Sequence, residues 1–245
     1  MGGRCERLKG VFAVCSGSGG VGKSTLALAL ALGAAAAGRE TILLDASGVS
    51  RACDLMLGLE SAVALDLVDV SSGQASIEHA LYAVPQQSRL RFCCASLDDP
   101  VPLAELSGAV LALRSLCDAL VIDLPTGQAA TEPGLLGDGD VRVVVTRPDD
   151  ASLRAAERVM GFAAGDRAAR HVVVNRYSRG QEKRARQYPR ETVQAILDAP
   201  VFSCIPEDEE MAAQVGKGRA RPLLFGGAAR AAIDQMVKNL LRETE

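Results

Sequence analysis

No tryptophan occurs in this 245-residue chain, and tyrosine and phenylalanine together number only eight, three and five respectively. A core must therefore be built from Leu, Val, Ile and Ala, which the 48% share of hydrophobic residues can supply. An excess of charge of one sign is also missing. The 27 Lys and Arg residues face 30 Asp and Glu, giving a formal net charge of -3 and a pI near 5.6. That balance excludes a dedicated, strongly basic nucleic-acid binder, though not a local basic patch. The seven cysteines, at 5, 15, 53, 93, 94, 117 and 204, contain no C-x-x-C pair. Their scatter argues against a disulfide framework and against a zinc or iron–sulfur site. Cys93 and Cys94 lie in the apolar run RLRFCCAS and read as buried reduced thiols, which suits a reducing cytoplasm.

Long hydrophobic runs are absent as well. The longest, LALALALGAAAAG from Leu26 to Gly38, falls short of the ~20 residues that span a bilayer. The opening MGGRCERLKGVF has no signal-peptide core, and Glu6 stands where a myristoylation signal following Gly2 wants Ser or Thr. The expectation is a soluble cytoplasmic protein. His79 and His171 stand apart from any cluster of metal-ligand types and read as structural, and Asp98-Asp99-Pro100 reads as a turn.

Short apolar runs alternate with helical patterns along the whole length. VFAVC (11–15), TILLD (41–45), RLRFCCA (89–95), ALVIDL (119–124), VRVVVT (141–146), HVVVN (171–175) and VFSCI (201–205) predict strands. Most are continuous rather than alternating, as parallel strands covered on both faces require. Helices are expected over Ser24–Ala37, Pro102–Cys117, Asp150–Ala164, Glu191–Leu197, Glu207–Gln214 and Ala228–Leu241, the last with one apolar face through Ala229, Ile233, Met236, Val237, Leu240 and Leu241. Without an internal repeat, a linker or a shift in composition, residues 1–245 read as a single doubly wound α/β domain, its mostly parallel sheet covered by helices on both faces.

Chemistry concentrates in CSGSGGVGKST. Gly17-x-x-x-x-Gly22-Lys23-Ser24 satisfies the Walker A pattern, with a strand before it and an Ala/Leu helix after it. In Gly17-Ser18-Gly19-Gly20-Val21-Gly22-Lys23-Ser24-Thr25, backbone N–H groups and the helix N-terminus would cradle phosphates. Lys23 would bridge the β- and γ-phosphates, and Ser24 would ligate Mg²⁺. Asp123, ending the strand of ALVIDLPTG, is placed as the Walker B acid, holding Mg²⁺ directly or through water.

GGVGKST, the LLD of the second strand, DLMLGL, IDLPTG and IPED together resemble the MinD/ParA family of deviant Walker A P-loop ATPases, its MinD and FlhG branches above all. The resemblance runs from about Lys9 to the last helix. It implies a dimerising ATPase that uses ATP or ADP with Mg²⁺ and regulates division-site placement, flagellar number or DNA segregation. It assigns Lys23, Asp45 and Asp123 to the catalytic centre, and Asn175, Arg176, Pro206 and Glu207 to the base. Asn175 can offer donor and acceptor to an adenine edge, with Arg176 and Pro206 packing against its faces.

Two charged positions of that family pattern are replaced. Its first lysine, which reaches across the dimer to the partner's nucleotide, is Ser18 here, and the second acid of its D-x-D is Ser47. Neither hydroxyl can supply the missing charge, so nucleotide binding is expected with weak hydrolysis. The alternatives are a working ATPase that draws on other groups and a pseudo-ATPase scaffold that uses nucleotide structurally. The iron–sulfur carrier branch of the superfamily is disfavoured by the missing C-x-x-C.

The dense basic run from Arg176 to Arg190 reads either as a solvated loop or as a patch for DNA, anionic lipid or an acidic partner. Weak DNA binding at most is expected. The end of the chain, KNLLRETE, lacks the basic amphipathic tail with which MinD proteins reach membranes, so direct recruitment there is not expected.

Overall fold

The computed structural model describes residues 10–48, 52–96, 103–127, 134–165, 167–209, 211 and 227–244. Strands β1 (Gly10–Ser16), β2 (Thr41–Asp45), β3 (Tyr82–Val84), β4 (Gln87–Cys94), β5 (Ala119–Thr126), β6 (Val141–Thr146), β7 (Ala169–Tyr177) and β8 (Val201–Pro206) form one sheet in the order β3-β4-β2-β5-β1-β6-β7-β8. Every neighbouring pair is parallel except β3 with β4. The fold is thus the mostly parallel α/β sheet that the continuous Val/Ile/Leu runs foretold.

Those runs are continuous because both faces of each strand are covered. Phe12 and Val14 of β1 point into one core with Leu26, Leu30, Ile233 and Val237. Val11, Ala13 and Cys15 point into the other with Leu113, Leu153 and Val193. Helices α1 (Lys23–Ala36) and α8 (Gly227–Glu243) lie over the first face. Helices α4 (Leu103–Ser115), α5 (Asp150–Phe162) and α7 (Arg190–Leu197) lie over the second. Asp149 caps α5, its Oδ1 accepting from Ser152 N at 3.0 Å. A 3₁₀ turn, Ala163–Gly165, replaces the end expected of that helix.

Four short elements escape the sequence patterns. Helices α2 (Cys53–Leu57), α3 (Leu67–Ser71) and α6 (Arg179–Lys183) have five residues each, too few for a helical period to declare itself. β3 is a three-residue antiparallel edge strand, turned into β4 through Pro85 and Gln86, the latter at φ 63°. Half of the residues of the helix expected over Glu207–Gln214, and the turn at Asp98-Asp99-Pro100, lie outside the described residues. No described helix is long and apolar enough to cross a membrane, and the described cysteines, from Cys15 to Cys204, are free thiols.

The chain leaves β1 for β2, β4 and β5 on one side and for β6, β7 and β8 on the other. This switch in winding direction opens a crevice at the carboxyl end of β1, where open α/β sheets bind ligands. α1 descends from that point and packs closely on α8: a Cβ on Gly33 would stand 2.6 Å from Val237 Cγ1. Gly33→Ala would gain about 1 kcal/mol of helix propensity. Overpacking against a stiff valine costs about 1–3 kcal/mol. We expect the variant to melt at a lower temperature than the parent by circular dichroism; a higher Tm would show that α8 yields.

Candidate functional site

The loop after β1 is shaped by what presses on it. Gly17 passes the backbone of α5 so closely that a Cβ would sit 2.1 Å from Ala155 O, so no larger residue fits. Gly22, at φ 94°, is the N-cap of α1 and offers no side-chain cap to the first-turn amides. The amino end of a 14-residue helix therefore presents its N–H groups and partial positive charge at the crevice. Ser16 Oγ donates to Ser18 O at 3.0 Å, fixing the first bend. Gly19 and Gly20 form the exposed rim, Val21 is buried, and Ser24 and Thr25 are half-buried in the first helical turn. Ser18 Oγ is buried with no hydrogen-bond partner.

Beneath the loop lies a compact group of charges. Lys23, 7% exposed, forms an ion pair through Nζ with Oδ1 of Asp123, which is fully buried. The pairing follows from topology, because β5 lies directly beside β1 and ends level with it. Burial pushes the Asp123 carboxyl above its ordinary value; the Lys23 ammonium opposes that shift, the Asp45 carboxylate adds to it, and the Ser24 side chain, hydrogen-bonded to Asp123, opposes it. Asp45 is the register partner of Asp123 on β2. Its Oδ1 accepts from Ser47 N at 3.0 Å and Ser47 Oγ at 2.6 Å, and its Oδ2 from Ala52 N at 3.2 Å and Cys53 N at 3.1 Å. Asp45 thus holds the chain that follows β2 against the site, and Ser47 turns its hydroxyl inward onto it.

Cys53 completes the group and was not foreseen. Its Sγ donates to Asp123 Oδ2 at 3.7 Å, and burial, followed by the two carboxylates, pushes the thiol well above its usual range. Nothing in RACDLML marks this residue, because only α2 and the β2–β5 register bring it there. Asp45, Cys53 and Asp123 place ligand atoms within 4.8 Å of one another. Four donors already occupy the Asp45 lone pairs. The groups suited to a cation are therefore Asp123 and the Ser24 hydroxyl at its side, an oxygen set of the kind Mg²⁺ takes.

The remaining expected residues lie on the ends of β7 and β8. Asn175 is 3% exposed and donates through Nδ2 to Val21 O at 2.8 Å. Arg176 is half-buried with φ 54°, and Gln187 clamps it, Nε2 donating to Arg176 O at 2.9 Å while Oε1 accepts from Ser178 N at 2.8 Å. Pro206 is the register partner of Tyr177, and Glu207 N donates to Tyr177 O at 3.0 Å, so Arg176, Pro206 and Glu207 lie on adjacent strand ends. In the basic run Lys183, Arg184 and Arg186 are exposed. His171 contacts Glu243 and packs against Phe202 in a tilted arrangement with ring centroids 4.3 Å apart, away from the loop.

A mostly parallel sheet with a glycine-rich loop feeding an uncapped helix, over a lysine and a strand-end aspartate, defines a P-loop NTPase type of α/β fold. More narrowly, the chain belongs to the CobQ/CobB/MinD/ParA nucleotide binding domain family, whose model matches residues 12–221. It is similar to the septum site-determining protein MinD of Helicobacter pylori, 33% identical over 220 residues, 85% of this chain and 82% of that protein. It superposes on a chain of the MinC:MinD cell division protein complex of Aquifex aeolicus with TM-score 0.82 and 28% identity, covering 96% of both. The fold also matches MinD of Pyrococcus horikoshii, solved with Mg-ADP, at TM-score 0.79, 24% identity, and 95% and 96% coverage.

The ion pair makes a pH-dependent prediction. The folded pKa of Asp123 is raised, so its contribution to stability is full at low pH and is lost as pH rises through that value. Lys23→Ala removes the ammonium that limits the rise. At pH 8 the variant should stay folded but lose about 3 kcal/mol, the scale for breaking a buried pair. At pH 5 the loss should shrink. Urea unfolding at both values measures it, and Asp123→Asn in the same background should remove the difference.

Proposed function

We propose that this chain binds ATP–Mg²⁺, hydrolyses it slowly, and acts in the cytoplasm as a nucleotide-dependent regulator of division-site placement or a similar positioning task. The observation that carries the reading is the Lys23–Asp123 pair under the uncapped amino end of α1. An anion on the loop would meet the Gly17–Thr25 amides and the Lys23 ammonium. Lys23 would then exchange Asp123 for phosphate oxygens, and Asp123 with Ser24 would hold Mg²⁺, which supplies neutralisation of phosphate charge. Arg176, Pro206 and Glu207 would flank the base together with Asn175. The kinship with MinD proteins supports this, as does the Mg-ADP held by the Pyrococcus horikoshii neighbour.

Slow turnover follows from two neutral positions. Cationic groups on a transferring phosphoryl matter about 10³–10⁵-fold in rate. Ser18 brings none, and its hydroxyl is buried. Ser47 brings no acid to orient water, and its hydroxyl is committed to Asp45. The same facts favour a second reading, a pseudo-ATPase scaffold in which nucleotide is a structural ligand. Residues 1–245 would work as one nucleotide-binding domain that pairs with a second copy when nucleotide is bound and engages a protein partner, as MinD of Aquifex aeolicus does with MinC.

Steady-state phosphate release against protein concentration tests the hydrolysis reading. We expect slow wild-type turnover, with Ser18→Lys plus Ser47→Asp raising it well above either single change, because both groups act in one transition state. The new acid at 47 must turn away from Asp45, whose oxygen the serine now touches at 2.6 Å. Brisk, concentration-dependent turnover in the wild type would overturn the reading, and failure to bind ATP in calorimetry would overturn nucleotide binding itself.

The exposed run around α6 yields a further expectation. DNA binding should be weak and fall steeply with salt, since about five clustered charges release few counterions. Lys183→Ala, Arg184→Ala and Arg186→Ala together should abolish it in a filter or anisotropy assay run at two salt concentrations. Tight binding indifferent to salt would contradict the account.

A further inference from the structure

We infer that Asn175 is a positioning residue for the phosphate loop, fixing one of its anion-binding amides, whatever contact it also makes with the base. The inference rests on the nucleotide reading above and specifies how the loop is held in its binding shape.

Asn175 lies near the carboxyl end of β7, two places from β1 in the sheet, so its side chain must reach past the end of β6 to touch the loop. It does so through Nδ2, which donates to Val21 O at 2.8 Å while the residue is 3% exposed. The contact needs the glycine that follows. A Cβ on Gly22 would lie 2.2 Å from Asn175 Nδ2, so the amide fills the space that a side chain at 22 would take. Val21 C=O and Gly22 N–H belong to one planar trans peptide and point in opposite directions. Holding the carbonyl toward β7 therefore directs the Gly22 N–H away from β7, at the point where the loop enters α1. The carboxamide sets the orientation of that peptide plane.

The strand end is built to aim this side chain. The β7–β8 register shifts between Val174 and Tyr177, the place of Asn175 and Arg176. Such a bulge re-aims the residues beside it. Arg176 adopts φ 54°, a left-handed conformation uncommon for a residue with a Cβ, and Gln187 bonds both Arg176 O and Ser178 N around it. A backbone held in a sparsely populated conformation by surrounding bonds marks a place where position matters. The bond it delivers goes to the phosphate loop.

The full-length protein tests this with ligands that do and do not carry a base. Wild type, Asn175→Leu and Asn175→Ala are titrated by calorimetry with inorganic tripolyphosphate, ATP and GTP in the presence of Mg²⁺. Circular dichroism checks the fold, and hydrogen exchange is followed in peptides covering 17–25. The leucine variant keeps the volume and removes the donor. Loss of one buried hydrogen bond corresponds to about tenfold in an equilibrium constant. We expect tripolyphosphate to weaken by a factor of about ten, ATP to weaken by at least as much, and exchange of the loop amides without ligand to quicken. Unchanged tripolyphosphate affinity with weakened ATP and a collapsed ATP-to-GTP ratio would assign Asn175 to the base alone and overturn the inference. Unchanged affinities and exchange would overturn it equally. A wild type that binds neither ATP nor tripolyphosphate would refute the nucleotide reading, and the exchange measurement alone would then decide whether Asn175 holds the loop.

Discussion

Lys23 and Asp123 each bury a charge that neither could sustain alone. Moving an ammonium or a carboxylate out of water costs several kcal/mol per ion even after relaxation. Their ion pair offsets that cost only because β1 and β5 are neighbours that end at the same level. For stability alone, two apolar side chains of similar volume would serve as well or better. The pair earns its place through what it leaves available. Asp123 has a raised pKa and meets, besides Lys23, only the Ser24 hydroxyl and the Cys53 thiol among the described residues, and Lys23 sits in the first turn of an uncapped helix. On the proposed reading both groups would take partners of higher charge, an anion for the lysine and a cation for the aspartate.

The loop above that pair is held from three directions. The backbone of α5 at Ala155 presses on Gly17, β7 reaches Val21 through Asn175, and β5 holds Lys23 through Asp123. A glycine-rich loop free in solution would spend most of its time in other shapes, because glycine has more backbone freedom to lose than any other residue. Three contacts, one from a helix and two from strands of the sheet, remove that freedom before any ligand arrives. Preorganisation of this kind keeps the ordering cost out of the binding step. It also means that groups well away from the loop, Gln187 behind the β7 bulge among them, bear on the loop's geometry.

How legible each part was depends on the range of the interaction that makes it. The strands declared themselves because burial on both faces writes an unbroken apolar run, and the loop did because its glycines and Lys23 are consecutive. β3, α2, α3 and α6 are too short to show a period. Cys53 and Gln187 carry no local mark, since their neighbours are set by register and by a bulge. Asn175 was legible as a residue of the site but not in its contact. A sequence places it at a strand end and says nothing of the left-handed Arg176 that turns the backbone there. Asp45 behaved similarly: its position on β2 was evident, while its four donors come from a segment with no regular pattern.

The two serines divide the site along a physical line. Every group that would bind phosphate by backbone amide, helix dipole or the Lys23 ammonium is in place, and none of these depends on the side chains at 18 or 47. What those positions lack is the charge that the family pattern would place there, to act toward a second nucleotide or an attacking water. A hydroxyl cannot replace it, because its dipole falls off too steeply and its reach is too short. Here both hydroxyls also face inward, one buried without a partner and one bonded to Asp45. Binding and turnover would therefore be separable properties of the chain, the first built into the backbone of the fold and the second resting on two side chains.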